Sequence, residues 1–116
     1  MTIRTYMPYY MIQGAYNPEG MSALVKSPQN RIAAVKPAIE KLGGTLKEAY
    51  FSFGDEYDFV IIAEMPDNVS AVAISMAFGA GGALKATKTT PLLTATETLD
   101  AMKKASGAEY TPPMAR

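Results

Sequence analysis

The sequence predicts an α+β fold in which an antiparallel four-stranded sheet carries helices on one face. Two observations support this: strand-like and helix-like segments follow the order βαββαβ with one further helix after them, and turn or capping residues separate the segments. A chain of 116 residues, 48% of them hydrophobic, is typical of a single globular domain. We therefore expect one domain over residues 1–107 and a flexible tail over residues 108–116.

The first strand and the first helix are predicted near the start of the chain. Residues 7–16 are rich in Tyr, Met and Ile without a helical stripe, which favours a strand, and the Asn-Pro-Glu-Gly sequence at 17–20 favours a turn. Ser27 and Pro28 are typical of an N-cap and a first helical position, so a helix is predicted from there to Gly43. Its apolar stripe has helical spacing and consists of Ile32, Val35, Ile39 and Leu42.

Two strands and a second helix are predicted in the middle of the chain. The strands span residues 45–53 and 57–65, and the Gly-Asp-Glu sequence between them favours an antiparallel hairpin. Pro66-Asp67-Asn68 breaks the second of these strands and supplies caps, so a helix is predicted at residues 69–78.

The last strand and the last helix are predicted toward the C-terminal end. Residues 84–90 are rich in Thr and end at Pro91, which favours a strand. Thr94 and Glu97 have the spacing of a capping box, which predicts a helix from there to about residue 106. The complete order is that of the ferredoxin-like, split-βαβ plan with an extra C-terminal helix.

The predicted strands are apolar on both faces, although a sheet with helices on one face should alternate apolar and polar residues. In the third strand, Phe59 and Ile61 lie on one side, and Val60 and Ile62 lie on the other. For the second strand, alternation predicts Leu46 and Tyr50 on one side, against Ala49, Phe51 and Phe53. Since the helices cover one face, we expect a second copy to cover the other, in a homodimer or a higher oligomer built from dimers. The alternative is that the last helix folds back over this face.

Composition excludes several classes of function. Eleven Lys and Arg residues balance 11 Asp and Glu residues, which argues against nucleic acid or a membrane surface as the partner. Cys and His are both absent, so disulfides, thiol nucleophiles, Ser-His-Asp triads and Cys or His metal sites are excluded, and we expect no cofactor and no metal. Because no targeting segment is visible, we expect a cytoplasmic location.

Asp58 is the candidate catalytic residue. It lies between Tyr57 and Phe59 at the start of an apolar strand, where a carboxylate is suited to acid or base chemistry near neutral pH. The alternative is that Asp58 accepts hydrogen bonds that close the hairpin.

Four tyrosines on neighbouring strands are candidate ligand-binding residues: Tyr10, Tyr16, Tyr50 and Tyr57. Their rings would line a pocket for a planar apolar molecule, and their hydroxyl groups would orient it. The alternative is that they belong to an ordinary core and a dimer interface.

The chain resembles the GYD-domain family of small bacterial proteins, which belongs to the dimeric α/β-barrel group. The resemblance rests on Tyr16 and on residues 27–28, 42–44, 53–60, 64–67, 82–84 and 89–94. Two residues separate Gly54 from Tyr57, where the motif that names the family has one, so this hairpin is one residue longer. The resemblance implies a GYD-like, ferredoxin-like domain that dimerises as an α/β barrel. It transfers no catalytic residue, because the family has no well-established activity.

Three functional hypotheses follow. The first is a homo-oligomeric α/β-barrel protein without established chemistry that binds a small apolar molecule. The second is a cofactor-independent enzyme that acts on an aromatic or polyketide-like compound, with Asp58 as acid or base. The third is a metabolite-sensing regulatory domain.

Overall fold

A computed structural model describes residues 6–114 of the chain and contains four strands and four helices within that range. The strands are β1 (Tyr9–Tyr16), β2 (Thr45–Phe51), β3 (Phe59–Glu64) and β4 (Leu84–Leu92). The helices are α1 (Pro18–Lys26), α2 (Arg31–Lys41), α3 (Asn68–Ala80) and α4 (Ala95–Ser106). The sheet order is β2-β3-β1-β4 with antiparallel pairs throughout, which confirms the α+β, ferredoxin-like fold.

Helix α1 was not expected from the sequence, because its first residues read as a turn. The side chain of Asn17 accepts a hydrogen bond from the backbone N–H of Gly20 at 2.8 Å, and Pro18 occupies the first turn of the helix. The same chemistry begins a turn or a helix. Here the backbone N–H of Asn17 also donates to the carbonyl oxygen of Ala83 at 2.9 Å, which anchors the start of α1 to the chain that enters β4.

Helix α2 begins later than Ser27 and Pro28 predict. Ser27 is the C-cap of α1, and Asn30 caps α2 by accepting a hydrogen bond from the backbone N–H of Ile32 at 3.0 Å. The predicted apolar stripe nevertheless packs inward, since Ile39 is buried and Val35 contacts the core. The stripe was therefore a better guide to the helix than its predicted cap.

One face of the sheet, here called the helix face, packs against α2 and α3 and carries the core. The buried cluster consists of Tyr10, Ile12, Ile39, Phe59, Ile61, Ala63, Met65, Ala71 and Ile74. In β3, Phe59, Ile61 and Ala63 are buried and the residues between them are half-buried, as the predicted alternation requires.

The predicted faces of β2 were wrong for Leu46. A register shift lies between Leu46 and Glu48, so Leu46 pairs with Ala63 and Ala49 pairs with Ile61. Both Leu46 and Ala49 therefore lie on the helix face, because one extra residue at a bulge reverses the alternation.

The opposite face of the sheet, here called the open face, is covered by none of the described helices. Its apolar residues are Tyr9, Met11, Tyr50, Val60, Ile62 and Leu92, and Tyr50 is 62% exposed. The polar residues Gln13, Glu48, Lys88 and Thr90 lie on the same face. The Lys47 ammonium group and the Glu64 carboxylate form a salt bridge at 3.1 Å at one end of this face. The open face thus carries apolar residues from all four strands, with polar and charged residues among them.

Helix α4 does not fold back over the open face, which was the alternative to a dimer. None of its residues is buried, and Leu99 and Met102 are 49% and 62% exposed. The predicted capping box is present between Thr94 and Glu97. The radius of gyration is 17.9 Å, whereas a compact chain of this length would have about 13 Å. No helix within residues 6–114 is both long enough and apolar enough to cross a bilayer.

Candidate functional site

A cavity of about 340 Å³ lies on the helix face, where α1, α2 and the end of α3 meet the sheet. Its volume is within the range of pockets that hold small molecules. The residues that line it are Tyr16, Gly20, Ala23, Leu24, Gln29, Arg31, Val35, Phe59, Ala77, Phe78, Gly81, Ala83 and Leu84. Most of these are apolar, so the cavity favours an apolar molecule.

Two aromatic rings form the inner part of the cavity. The rings of Tyr16 and Phe59 lie with their centroids 5.7 Å apart and their planes tilted by 54°. Phe59 is buried, and its ring lies directly over Gly14, where a Cβ atom would be 2.3 Å from the ring. Glycine at this position therefore creates the space that the Phe59 ring occupies.

The cavity has a polar side at the start of α2. Arg31 is half-buried, and its Nη1 donates a hydrogen bond to Oε1 of Gln29 at 2.8 Å. Burial is the main cause that raises the pKa of Tyr16; the charge of Arg31 acts to lower it, and the charge of Asp58 acts to raise it. The Tyr16 hydroxyl therefore stays protonated near neutral pH and can donate a hydrogen bond.

Asp58 lies beside the cavity and is not among the residues that line it. Its Oδ2 accepts a hydrogen bond from the backbone N–H of Tyr16 at 2.8 Å. Its backbone N–H donates to the carbonyl oxygen of Gly14 at 2.7 Å, and its carbonyl oxygen accepts from the N–H of Ser52 at 2.8 Å. Asp58 thus makes the hydrogen bonds that the alternative interpretation expects, while its acid or base role stays a prediction.

The four candidate tyrosines do not lie in one cavity. Tyr16 lines the cavity, whereas Tyr10 is buried in the core and its hydroxyl donates to Oδ1 of Asn68. Tyr50 lies on the open face, with its hydroxyl 3.3 Å from Oε2 of Glu48. Tyr57 is in the segment between β2 and β3, where its carbonyl oxygen accepts from the Ser52 hydroxyl at 2.8 Å. Their ligand-binding role stays a prediction, and of the four, all within residues 6–114, Tyr16 alone lines this cavity.

Sequence reasoning missed Arg31 and the apolar pair Phe78 and Leu84. Arg31 lies in the first predicted helix together with Lys36 and Lys41, and nothing in its sequence context distinguishes it from these two residues. Phe78 and Leu84 flank the glycine-rich segment between α3 and β4. That segment returns the chain from α3 to the sheet and brings both side chains to the cavity, which is a tertiary effect.

The geometry defines the chain as an α+β, ferredoxin-like protein with a helix-side cavity, an apolar open face and an unpacked C-terminal helix. The GYD domain family model matches residues 10–102, which contain β2, β3, β4 and all of β1 except Tyr9, and the chain belongs to the GYD domain family. The family predicted from the sequence is confirmed. No curated protein matches the chain.

Proposed function

We propose that this protein is a homodimer in which each chain binds a small apolar molecule in its helix-side cavity. The cavity carries the binding proposal, because a mostly apolar space of about 340 Å³ with a few polar groups at one side is the usual form of a small-molecule site. The uncovered apolar surface supports the dimer.

The chain exposes more surface area than a compact monomer of the same mass. It amounts to 8167 Å², whereas a compact monomer of this mass exposes about 6,100 Å², so the excess is about 2,000 Å². A standard protein–protein interface buries about 800 Å² on each partner. The excess is therefore enough for a stable dimer that covers both the open face and α4.

A two-fold dimer of sheets would cover the open face with an identical open face. The apolar residues there, such as Met11 and Ile62, would form a second core between the sheets. Leu99 and Met102 of α4 would pack on the second chain, since they are 49% and 62% exposed in their own chain. This arrangement buries the apolar groups that a monomer leaves in water.

Sedimentation velocity at micromolar concentration tests the dimer. We expect the full chain to sediment as a dimer, and Ile62→Glu to sediment as a monomer, because it places an unpaired charge in the middle of the proposed interface. Ala34→Glu adds the same charge at an exposed position of α2 and should remain dimeric. A wild-type chain that stays monomeric across the micromolar range would contradict this part of the proposal.

An NMR titration with phenylpropanol tests the cavity. We expect saturable binding with shifts at the amides of Val35, Phe59 and Gly81. Ala77→Trp should abolish binding, because Ala77 is at the exposed rim and the indole would fill the space. Ala80→Trp is the matched control, since Ala80 is exposed on the same helix and does not line the cavity. Equal loss in both variants, or no binding to the wild-type chain, would contradict a site in this cavity.

A further inference from the structure

The cavity combines an apolar interior with one positive charge. Among its lining residues, all within the part of the chain that the structure describes, Arg31 is the only charged one. No carboxylate in residues 6–114 forms a salt bridge with its guanidinium group. A half-buried cation without a carboxylate partner at the side of an apolar cavity indicates that an anionic group of a bound molecule completes the site.

The guanidinium group of Arg31 has N–H donors left for a carboxylate. A guanidinium group has several N–H donors in a planar fork, and the hydrogen bond to Gln29 uses Nη1. The remaining donors suit the two parallel hydrogen bonds that a carboxylate accepts. Tyr16 lines the same cavity, and no hydrogen bond from its hydroxyl to another residue is found within residues 6–114. It can supply a further donor near the same anion.

The single positive charge and the apolar walls of the cavity together indicate the class of ligand. One cation matches a monoanion, whereas a phosphate dianion would leave about one negative charge unbalanced in an apolar cavity. The apolar walls, including Val35, Phe78 and Leu84, require an apolar body attached to that anion. A small aromatic or aliphatic carboxylic acid satisfies both requirements.

We propose that the helix-side cavity binds a small carboxylic acid, whose carboxylate pairs with Arg31 and whose apolar body packs on Phe59 and Phe78. This inference rests on the proposed binding function and specifies its ligand class. It makes Arg31 a specificity-determining residue, because the apolar walls accept a neutral analogue of the same shape and the guanidinium group distinguishes the acid from it.

Titration of the full-length protein with phenylpropionate and with phenylpropanol tests the inference, since the two probes share one apolar body. We expect the acid to bind about tenfold more tightly than the alcohol, because a hydrogen-bonded charge pair is worth about that factor or more. Arg31→Gln should reduce the affinity for the acid about tenfold and change the affinity for the alcohol less than about twofold. Binding of the alcohol by this variant also shows that its cavity is folded.

Lys36→Gln is the matched control, since it removes the same charge from an exposed position of the same helix that does not line the cavity. Both probes should bind this variant as they bind the wild-type chain. Equal affinities of the wild-type chain for acid and alcohol would overturn the inference and leave the proposed binding function standing. Failure of both probes to bind would overturn the two together, and an equal effect of Lys36→Gln would show that only net charge matters.

Discussion

The two faces of strand β3 have similar hydrophobicity and different surroundings. Ile61 on the helix face is 1% exposed beneath the helices, whereas its neighbour Ile62 on the open face is only half-buried. Adjacent isoleucines therefore differ in their surroundings, because the chain's own helices cover Ile61 and do not cover Ile62. The difference teaches that apolar sequence alone does not show which surface the chain covers by itself and which surface it leaves exposed.

The helices show the same contrast. Helices α2 and α3 contribute Ile39 and Ile74 to the core, while α4 contributes no buried residue. Helix α4 nevertheless has a complete capping box and exposed apolar residues such as Leu99. A helix that is well capped and unpacked in its own chain is stabilised by local interactions, and most of the packing that usually supports a helix is missing.

The largest effect should come from comparing Ile61→Ala with Ile62→Ala. We expect Ile61→Ala to lower the free energy of unfolding by about 2–5 kcal/mol, because it leaves a cavity in the core. Ile62→Ala should lower it less, and should weaken the dimer proposed above. Chemical denaturation at several protein concentrations separates the two effects, since dimerisation makes the apparent stability depend on concentration. Equal, concentration-independent losses would break the comparison between the faces.

Substitution of Gly14 should have the next largest effect on stability. Gly14→Ala should lower the free energy of unfolding by about 1–3 kcal/mol, because the added Cβ would meet the Phe59 ring. Gly79→Ala is the control, since no atom lies within 4 Å of the added Cβ and alanine favours a helix. Thermal unfolding should show a lower Tm for Gly14→Ala and an unchanged or higher Tm for Gly79→Ala. A neutral Gly14→Ala would refute the close packing of Phe59 on β1.

Substitution of Asp58 should have a smaller effect on stability, which measures the structural role of its side chain. Asp58→Ala should lower the free energy of unfolding by about 1 kcal/mol, because the backbone N–H of Tyr16 loses its acceptor. Asp58→Asn retains an acceptor oxygen and should lose less. Denaturation of both variants measures this difference. An alanine variant as stable as the wild-type chain would show that this hydrogen bond does not stabilise the junction of β1 with β3.

The smallest effect concerns the pH dependence of α4. Hydrogen bonds from Tyr6 and then from the backbone of Thr94 lower the pKa of Glu97 below its ordinary value of 4.5. The stabilisation of the helix start is therefore complete above that ordinary value and is lost as the pH falls through the lower pKa of the folded state. The protection factors of the amides at the start of α4 against hydrogen exchange should fall in that acidic range.

Glu97→Gln provides the control for this titration, since an amide can occupy the same position without gaining a proton. In this variant the protection factors of the amides at the start of α4 should not change in the acidic range where those of the wild-type chain fall. A fall of the same size in Glu97→Gln would assign the pH dependence to another group.

Several parts of the fold could be predicted because they depend on local chemistry. The Thr94–Glu97 capping box, the alternation of Phe59 and Ile61 with Val60 and Ile62, and the antiparallel pairing of β2 with β3 all follow from neighbouring residues. The bulge that reverses Leu46 could not be predicted, because strand pairing accommodates an extra residue without a turn signal. The start of α1 was missed because Asn17 and Pro18 favour a turn and a helix equally.

The candidate site could be predicted only in part. Tyr16 was among the expected residues, whereas Tyr10, Tyr50 and Tyr57 lie elsewhere and Arg31 was not among the candidates. Strand residues a few positions apart share a face by simple alternation, but a cavity collects residues from several elements at once. Their meeting depends on how the helices cross the sheet.

The sequence by itself determined the order of the four strands and of α2, α3 and α4, the family, and the presence of more apolar strand surface than its helices can cover. These properties follow from periodicity, caps and composition, which act over a few residues. The tertiary structure decided which face is covered, where α4 lies, and that Arg31 meets Tyr16 and Phe59 at one cavity. The reason is physical: packing joins residues that are distant in the chain, and it is selected by the free energy of the whole arrangement.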